Sequence, residues 1–307
     1  MKTTPLTPAE LSSSVMAVPP LARTADLALN RDANQAIVTH LEAGGVRMLL
    51  YGGNANLYHV AVEEYPRLLD MLESIAGADT CVIPSVGPEY GRMMDQAALL
   101  RGRRFPTAMV LPAVAPITEA GVAAGIRRFA EAFGRPVVVY IKSDGYLAPA
   151  SVGALVRDGL VSAIKYAIVR RDPRHDPYLR ELLQQAPARM VVSGIGERPA
   201  IVHRRDFGLQ GFTSGAVCIG PRGSMRLLHL LQQGAWEEAE RVRAAYLPLE
   251  DLRDALNPIR VLHEAVALAG IAATGPILPL LSNLEPEHHE AVRAAATALL
   301  ARDRGAA

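Results

Sequence analysis

Eight short apolar runs alternate with longer amphipathic segments over the first two thirds of this chain. They recur at intervals of roughly 20 to 35 residues, which is the length of a strand, a loop, a helix and a second loop. Strands that alternate with helices in this way pair in parallel and are buried on both faces of their sheet. The predicted strands are Ser14–Val18, Val46–Tyr51, Thr80–Val86, Thr107–Leu111, Pro136–Tyr140, Val161–Lys165, Arg189–Ser193 and Gly211–Ser214.

Eight strand–helix units in about 200 residues favour a closed (β/α)8 TIM barrel over an open doubly wound sheet. The first predicted strand is not followed by Gly-x-Gly-x-x-Gly, which counts against the open-sheet alternative. The predicted helices between the strands are Asn34–Gly44, Val62–Ala76, Gly91–Arg101, Glu119–Phe133, Ser151–Asp158, Tyr178–Gln185 and Pro199–Arg205.

After Pro221 the strand pattern stops and only helix-like segments follow, separated by glycine and proline residues. We therefore expect two parts, a barrel over residues 1–221 that carries the active site and a C-terminal helical bundle over residues 222–307. The predicted helices of the second part are Ser224–Gln233, Trp236–Ala255, Ile259–Ala269 and Pro286–Arg302.

Composition excludes several classes of function. The net charge is +1 and the arginines are scattered, so no strong field favours nucleic acid or an anionic membrane as a partner. Two distant cysteines, Cys81 and Cys218, and histidines without ligand spacing predict neither disulfides nor a metal site. The N-terminus lacks the apolar core of a signal peptide and no lipid-spanning run follows, so we expect a cytoplasmic protein.

One lysine is set inside an apolar strand, at Lys165 of Val161–Val169. A cation in such a run is costly unless it is paired or loses its proton. The chain has only three lysines, Lys2, Lys142 and Lys165, and arginine can neither deprotonate nor form an imine. Lys165 is thus a candidate base or Schiff-base former, although a strand-end lysine that reaches solvent would give the same local pattern.

Other polar residues follow the predicted strands at the barrel edge where TIM-barrel chemistry occurs. Tyr140 ends the fifth strand and should lie beside Lys165, where a phenol can move the protons of imine formation. Bare N–H groups at the end of the second strand could cradle a carboxylate, although an ordinary tight turn would use the same glycines. The candidate substrate-binding residues are Gly52, Gly53, Asn54, Lys142, Ser193, Gly194 and Ser214.

Together these residues resemble the dihydrodipicolinate synthase / N-acetylneuraminate lyase superfamily of class I Schiff-base aldolases. The resemblance implies that Lys165 condenses with the keto group of pyruvate or another 2-keto acid, that Tyr140 relays protons, and that Gly53 and Asn54 bind the carboxylate. It further implies a homotetramer or homodimer with no metal or organic cofactor. The motifs that carry it are Gly52–Asn54, Val137–Tyr140, Ala163–Lys165, Ser193-Gly194, Gly211–Ala216 and Gly275–Leu280.

The chain resembles the 5-dehydro-4-deoxyglucarate dehydratase branch more closely than a true dihydrodipicolinate synthase. Such a synthase has a second tyrosine after its fourth strand, whereas this chain has Pro112–Ala115 there. Gly53–Tyr58 ahead of Glu63–Tyr65 is similar to the loop of the dehydratase branch. We expect a Schiff-base lyase that cleaves, condenses or dehydrates a 2-keto acid. The alternatives are the synthase itself and a catalytically silent barrel that binds a keto acid.

Overall fold

The computed structural model describes residues 1–305, in which eight parallel strands close into one barrel in chain order. The first strand pairs with both the second and the eighth, which closes the sheet. Each predicted apolar run contains one strand, so the (β/α)8 barrel is confirmed. The strands are β1 Met16–Ala17, β2 Met48–Tyr51, β3 Cys81–Val86, β4 Met109–Val110, β5 Val137–Ile141, β6 Val161–Tyr166, β7 Val191–Ser193 and β8 Gly211–Ser214.

The helices of the barrel region cover the outside of the sheet. In the fifth helix, Ile126, Phe129 and Phe133 fall on one face and are buried, as the 3.6-residue period requires. The side chain of Thr118 caps its first turn, and Gly134 ends it in the left-handed conformation. The helices are α1 Pro8–Ser13, α2 Arg31–Ala43, α3 Tyr65–Ile75, α4 Tyr90–Arg101, α5 Glu119–Phe133, α6 Pro149–Arg157, α7 Pro177–Gln185, α8 Ala200–Phe207 and α9 Pro221–Gln233.

Four further helices follow, α10 Trp236–Arg243, α11 Leu247–Ala255, α12 Pro258–Leu268 and α13 Pro286–Gly305. The prediction of one continuous helix over Trp236–Ala255 was wrong, because the chain breaks between α10 and α11. Pro248 lacks the N–H that would bond the Ala244 carbonyl, and its ring would clash with that group.

The division of the chain at residue 221 stays a prediction. The helix α9 begins at that boundary and contacts α8 of the barrel region as well as α10 and α13 of the C-terminal region. The predicted second part, residues 222–307, includes Ala306 and Ala307, which lie outside the described residues. Within residues 1–305 no helix has the length and apolar character needed to cross a bilayer.

Parallel pairing brings the C-terminal ends of all eight strands to one edge of the barrel, which we call the mouth. The chain leaving β1 is held near this edge by the buried side chain of Asn34 on α2. Its Oδ1 accepts a hydrogen bond from the Ala22 N–H at 3.0 Å, and its Nδ2 donates to the carbonyls of Ala22 and Asn30 at 2.9 and 2.7 Å. One amide group thereby satisfies both backbone groups of a buried loop residue.

Asn34→Ala should lower the free energy of unfolding by about 1–3 kcal/mol, because it leaves the buried Ala22 N–H without its partner, while the carbonyls of Ala22 and Asn30 keep backbone hydrogen bonds. Chemical denaturation followed by circular dichroism measures this loss. Thr39→Ala is the control, since Thr39 lies exposed on the same helix and should change stability by less than about 0.5 kcal/mol. Equal effects of the two substitutions would contradict the role assigned to Asn34.

Candidate active site

Lys165 and Tyr140 are direct neighbours at the mouth of the barrel. They are paired in register on β6 and β5, so their side chains project from the same face of the sheet. The Lys165 Nζ lies 4.3 Å from the centroid of the Tyr140 ring. Only 6% of Lys165 and 8% of Tyr140 is exposed. The two residues that the sequence singled out are thus brought together in a nearly closed site.

The amine of Lys165 has an environment that disfavours its charged form. Burial first, and then the positive charges of Lys142 and Arg253, lower the pKa of Lys165 to about 7. No carboxylate within residues 1–305 offsets these effects. A large fraction of this lysine is therefore neutral near pH 7, and a neutral amine is the nucleophilic form.

The phenol of Tyr140 is held in its protonated form. Burial raises its pKa well above the ordinary tyrosine value, and the nearby phenol of Tyr58 raises it further, while the charge of Arg253 has the opposite effect. A buried, protonated phenol against a neutral amine is suited to donate a proton to oxygen and take it back.

The glycine loop after β2 is packed too tightly for larger residues. A side chain at Gly52 would come within 2.7 Å of the Met109 Cε and 3.0 Å of the Ser85 Oγ. The hydrogen bonds of this loop run from the Asn56 N–H to the Gly53 carbonyl at 2.8 Å and from the Leu57 N–H to the Gly52 carbonyl at 3.2 Å. Among the loop hydrogen bonds of the described residues, none uses the N–H groups of Gly53 and Asn54.

The side chain of Asn54 has a structural partner. Its Nδ2 donates to the carbonyl of Val18 at 3.0 Å and so ties the β2 loop to the chain leaving β1. Asn54 can therefore offer a ligand its backbone N–H, while its side-chain amide nitrogen is already engaged. In the segment Gly52–Asn54, the backbone N–H groups of Gly53 and Asn54 are thus open to a ligand. The one polar side chain of this segment, that of Asn54, is already hydrogen-bonded.

The segment after β7 brings Gly194 to the lysine but turns Ser193 away. A side chain at Gly194 would come within 2.9 Å of the Lys165 Cγ, so glycine is needed there. Ser193 pairs in register with Tyr166, whose side chain lies on the opposite face of β6 from Lys165. The Ser193 Oγ is hydrogen-bonded to the His203 Nδ1 at 2.8 Å. The structure therefore does not bring the Ser193 side chain to the site.

Two other predicted residues lie at the edge of the site. Ser214 ends β8, is buried, and donates its hydroxyl hydrogen to the Glu197 Oε2 at 2.8 Å while accepting from the Val217 N–H at 2.9 Å. Its hydroxyl is thus engaged with protein groups. Lys142 follows β5, is exposed, and lies near enough to Lys165 to lower its pKa.

Tyr58, absent from the predicted site residues, lies beside the glycine loop. Burial raises the pKa of Tyr58 to about 12, and its ring is 3.9 Å from where a Gly53 side chain would begin. Its turn is fixed by Asn56 in the left-handed conformation and by Arg92, which donates to the carbonyls of residues 57, 58 and 60. The sequence could have identified Tyr58 as the first tyrosine after the glycine loop, six residues beyond Gly52.

Tyr58 also lines a cleft of about 1120 Å³ between α4 and α5. Tyr146, Val110 and Pro112 lie along the same cleft. Its volume slightly exceeds the range of about 300–1,000 Å³ that is usual for small-molecule sites. Because Tyr58 influences the pKa of both Tyr140 and Tyr146, the cleft ends close to the Lys165–Tyr140 pair.

Sequence reasoning missed one charged residue near the lysine, Arg253, and one buried carboxyl beyond it, Glu197. Glu197 lies four residues after the end of β7, and this position close to a strand end could have identified it as a candidate. Arg253 lies on α11, 88 residues beyond Lys165 in the chain, and no local pattern indicates that it returns to the mouth. Residues 1–305 hold no group of three His, Cys, Asp or Glu side chains placed to bind a metal ion.

Lys165→Met should raise the free energy of unfolding by about 2–4 kcal/mol at pH 7. Because the folded-state pKa of Lys165, about 7, lies below the ordinary lysine value, the unfolded chain binds more protons between pH 7 and about pH 10. Wild-type stability therefore rises with pH in this window. The gain from the substitution should shrink to below about 1 kcal/mol at pH 10. Chemical denaturation of both proteins at pH 7 and at pH 10 measures this gain in the free energy of unfolding.

Lys142→Met is the matched comparison, since Lys142 is exposed and its removal only takes away one of the charges that lower the pKa of Lys165. Its gain at pH 7 should therefore be smaller than that of Lys165→Met. A gain from Lys165→Met that does not change between pH 7 and pH 10 would contradict the depressed pKa of Lys165. Equal gains from both substitutions would contradict it as well.

Comparisons with known proteins identify the fold. No protein-family model and no curated protein sequence matches the chain. Among solved structures it is similar to dihydrodipicolinate synthase from Oceanobacillus iheyensis, with 21% identity, TM-score 0.82, and 97% of this chain and 98% of the other covered. Sialic acid aldolase from Ruminococcus gnavus matches with 16% identity, TM-score 0.84 and coverage of 97% and 99%.

A third match is dihydrodipicolinate synthase from Agrobacterium tumefaciens, with 18% identity, TM-score 0.84, and 95% of this chain and 99% of that chain covered. At these identities the likeness is one of fold, and it extends over nearly the whole of each chain. The structural neighbours of this barrel, including its C-terminal helices, are thus members of the dihydrodipicolinate synthase / N-acetylneuraminate lyase superfamily.

Proposed function

We propose that the protein is a Schiff-base lyase that acts on a 2-keto acid through Lys165. The observation that carries this proposal is the nearly buried amine of Lys165, which has no acidic partner and rests on the ring of Tyr140. An amine kept neutral beside a protonated phenol is the pairing that imine formation requires. The fold shared with dihydrodipicolinate synthases and a sialic acid aldolase supports the same class of chemistry.

In the proposed mechanism the Lys165 Nζ attacks the keto carbon of the substrate and forms a carbinolamine. Tyr140 donates its proton to the departing hydroxyl, water leaves, and an iminium ion results. The iminium withdraws electrons, so the adjacent carbon loses a proton to the Tyr140 phenolate and an enamine forms, which then expels hydroxide in a dehydration. In an aldol cleavage the iminium itself loses an aldehyde fragment, whose hydroxyl proton passes to the phenolate, and the enamine remains. In reverse the enamine adds to an aldehyde. Water finally hydrolyses the imine and releases Lys165.

The carboxylate of the keto acid would lie on the open backbone N–H groups of Gly53 and Asn54. The positive charges of Lys142 and Arg253 near the mouth favour an anionic substrate in the same region. Tyr58 would supply a second phenol beside Tyr140, in a chain whose Pro112–Ala115 segment has none. Dehydration of a keto-deoxy sugar acid, the reaction of the 5-dehydro-4-deoxyglucarate dehydratase branch, is the specific reaction that we propose within this class.

A second candidate function is a silent barrel that binds a keto acid without turning it over. The observation that favours it is the engaged side chain of Asn54, in a loop where neither Gly53 nor Asn54 offers a hydroxyl. Proton transfer would then lack a donor on the carboxylate side of the substrate. Binding of pyruvate without any reducible adduct would distinguish this candidate.

We also propose a homotetramer or homodimer. Tyr90, Val114 and Ile117 are exposed along the cleft between α4 and α5, with 50%, 91% and 40% of each residue accessible. Grouped apolar side chains of this kind are typical of surfaces that contact another protein. Light scattering coupled to size exclusion measures the number of subunits.

Incubation with pyruvate and sodium borohydride should attach one reduced pyruvate unit to Lys165 and to neither of the other two lysines. Longer 2-keto sugar acids, tested in parallel, should label the same residue, and the best-labelled acid indicates the substrate. Peptide mapping by mass spectrometry locates the adduct. Lys165→Arg is the control, because it retains a cation but cannot form an imine. An adduct at Lys142, or none with any keto acid, would contradict the proposal.

Tyr140→Phe should lower kcat by about 100- to 1000-fold, since it removes the proton donor while the amine stays in place. The borohydride adduct at Lys165 should still form, though more slowly. Tyr178→Phe is the matched control, because that buried phenol donates to the Leu147 carbonyl and lies outside the proposed mechanism. The role of Tyr140 would be refuted by a variant with wild-type kcat, measured on the acid identified by trapping.

A further inference from the structure

Two carboxyl groups are buried side by side behind the mouth. Glu197 follows β7 and Glu250 lies on α11, and both are less than 2% exposed. The Glu250 Oε1 accepts a hydrogen bond from the Glu197 N–H at 2.9 Å, while its Oε2 is buried without a partner. The Glu197 carboxylate accepts from the hydroxyls of Ser214 and Ser224. Burial and then the charge of Glu197 raise the pKa of Glu250 to about 8, so it keeps a proton near neutral pH.

Arg253 lies one helical turn beyond Glu250. Its Nη1 is 3.5 Å from the Glu250 Oε1, and its Nη2 donates to the Ile195 carbonyl at 3.1 Å. Because Glu250 is largely protonated at neutral pH, it offsets little of the guanidinium charge. Two further acidic groups face it: Asp254, which is half-exposed and screened by water, and the buried Glu197, whose pKa the Arg253 charge lowers. The buried guanidinium of Arg253 thus places a positive charge inside the mouth of the barrel.

One turn of backbone separates this cation from the lysine. Gly194 packs on the Lys165 stem, where a side chain would come within 2.9 Å of the Cγ. The next residue, Ile195, gives its carbonyl to Arg253. A side chain at Gly196 would clash with Glu250 and come within 2.8 Å of the Arg253 Nη1. Three consecutive residues therefore contact the lysine on one side and the α11 pair on the other.

We propose that Arg253 is a positioning residue whose guanidinium, held at the turn Gly194–Gly196 by Glu250 and the Ile195 carbonyl, disfavours the charged form of the Lys165 amine. The inference rests on the proposed function, in which that neutral amine is the nucleophile. The C-terminal helices thereby set the reactivity of a residue in the barrel. Neither Arg253 nor Glu250 takes part in a bond to substrate.

The charged and titratable groups that face these residues are few. Lys165 faces Tyr140 on β5, Lys142 after β5 and Arg253 on α11. Besides Arg253, Glu250 faces Glu197 and Arg198, which precede α8. Removal of the Arg253 charge therefore leaves Lys142 as the sole cation that holds Lys165 neutral, in addition to burial.

The test is a pH titration of the protein labelled with [ε-13C]lysine and followed by NMR, since three lysines give three resonances. In the wild-type protein the Lys165 signal should titrate well below the other two. Arg253→Met should move its midpoint upward by up to about one pH unit, and Lys142→Met should move it at least as far, because Lys142 has the larger of the two charge effects on Lys165. Arg253→Lys should restore a low midpoint. Arg198→Met, at the same surface but directed to Asp251 and Asp254, should leave it unchanged.

Glu250→Gln separates electrostatics from loosened packing. This substitution removes a carboxyl that can ionise and keeps the Arg253 charge, so the Lys165 midpoint should stay as low as in the wild type or fall. If the pair acted only as a packing brace, both Arg253→Met and Glu250→Gln would admit water and raise the midpoint. A raised Lys165 midpoint in both variants, or an unchanged midpoint in Arg253→Met, would overturn the proposal.

The titration needs no substrate, so its outcome is independent of the proposed function. A wild-type Lys165 that titrates with the other lysines overturns this inference even if Arg253→Met fails to fold. A low wild-type midpoint that depends on Arg253, combined with no borohydride adduct, would contradict the lyase and leave the positioning role of Arg253 intact. Circular dichroism of each variant verifies that the fold is retained.

Discussion

The cost of an unpaired amine inside the barrel is the constraint on which the rest of this site depends. Lys165 is 6% exposed and has only cations as charged neighbours. A protonated lysine there would lose its hydration without gaining a partner, so the protein instead lowers its proton affinity. This arrangement destabilises the fold at neutral pH and at the same time supplies a nucleophile. Such a conflict between stability and chemistry is typical of active sites.

The surrounding structure keeps this amine dry and in place. Parallel pairing of β5 and β6 sets the Tyr140 ring beneath the Nζ, and Gly194 allows the next strand end to close on the stem. Both contacts depend on the absence of larger or acidic side chains. The C-terminal helices contribute through Arg253, whose link to the Ile195 carbonyl fixes the turn after β7. The charge arrangement around Lys165 thus depends on both the barrel and the C-terminal helices.

Sequence reasoning was sufficient for the parts of the structure that depend on local patterns. Eight apolar runs at regular intervals predicted the closed barrel, and the placement of Tyr140 and Lys165 at adjacent strand ends predicted their contact. It failed where the result depends on which face of a strand a side chain takes. Ser193 ends β7 as predicted, but its register with Tyr166 turns its hydroxyl toward His203.

Long-range packing was the other part that the sequence could not provide. Arg253 and Glu250 are one helical turn apart on α11, and nothing near them in the chain indicates a return to the β7 turn. Their contact with Gly196 depends on how the C-terminal helices lie against the barrel. By contrast, the break before α11 had a local signal in Pro248, which the apolar pattern of Trp236–Ala255 outweighed. Short-range patterns therefore predicted the candidate nucleophile, and the tertiary structure showed the residues that pack behind it.

The measurement that tests the central claim most directly is a crystal structure of the protein soaked with pyruvate. The account predicts continuous electron density from the Lys165 Nζ to the keto carbon, with the carboxylate on the N–H groups of Gly53 and Asn54. Pyruvate bound without a covalent link, with its carboxylate paired to a protonated Lys165, would contradict it. That result would mean that Lys165 is a binding cation and that the barrel does not form an imine.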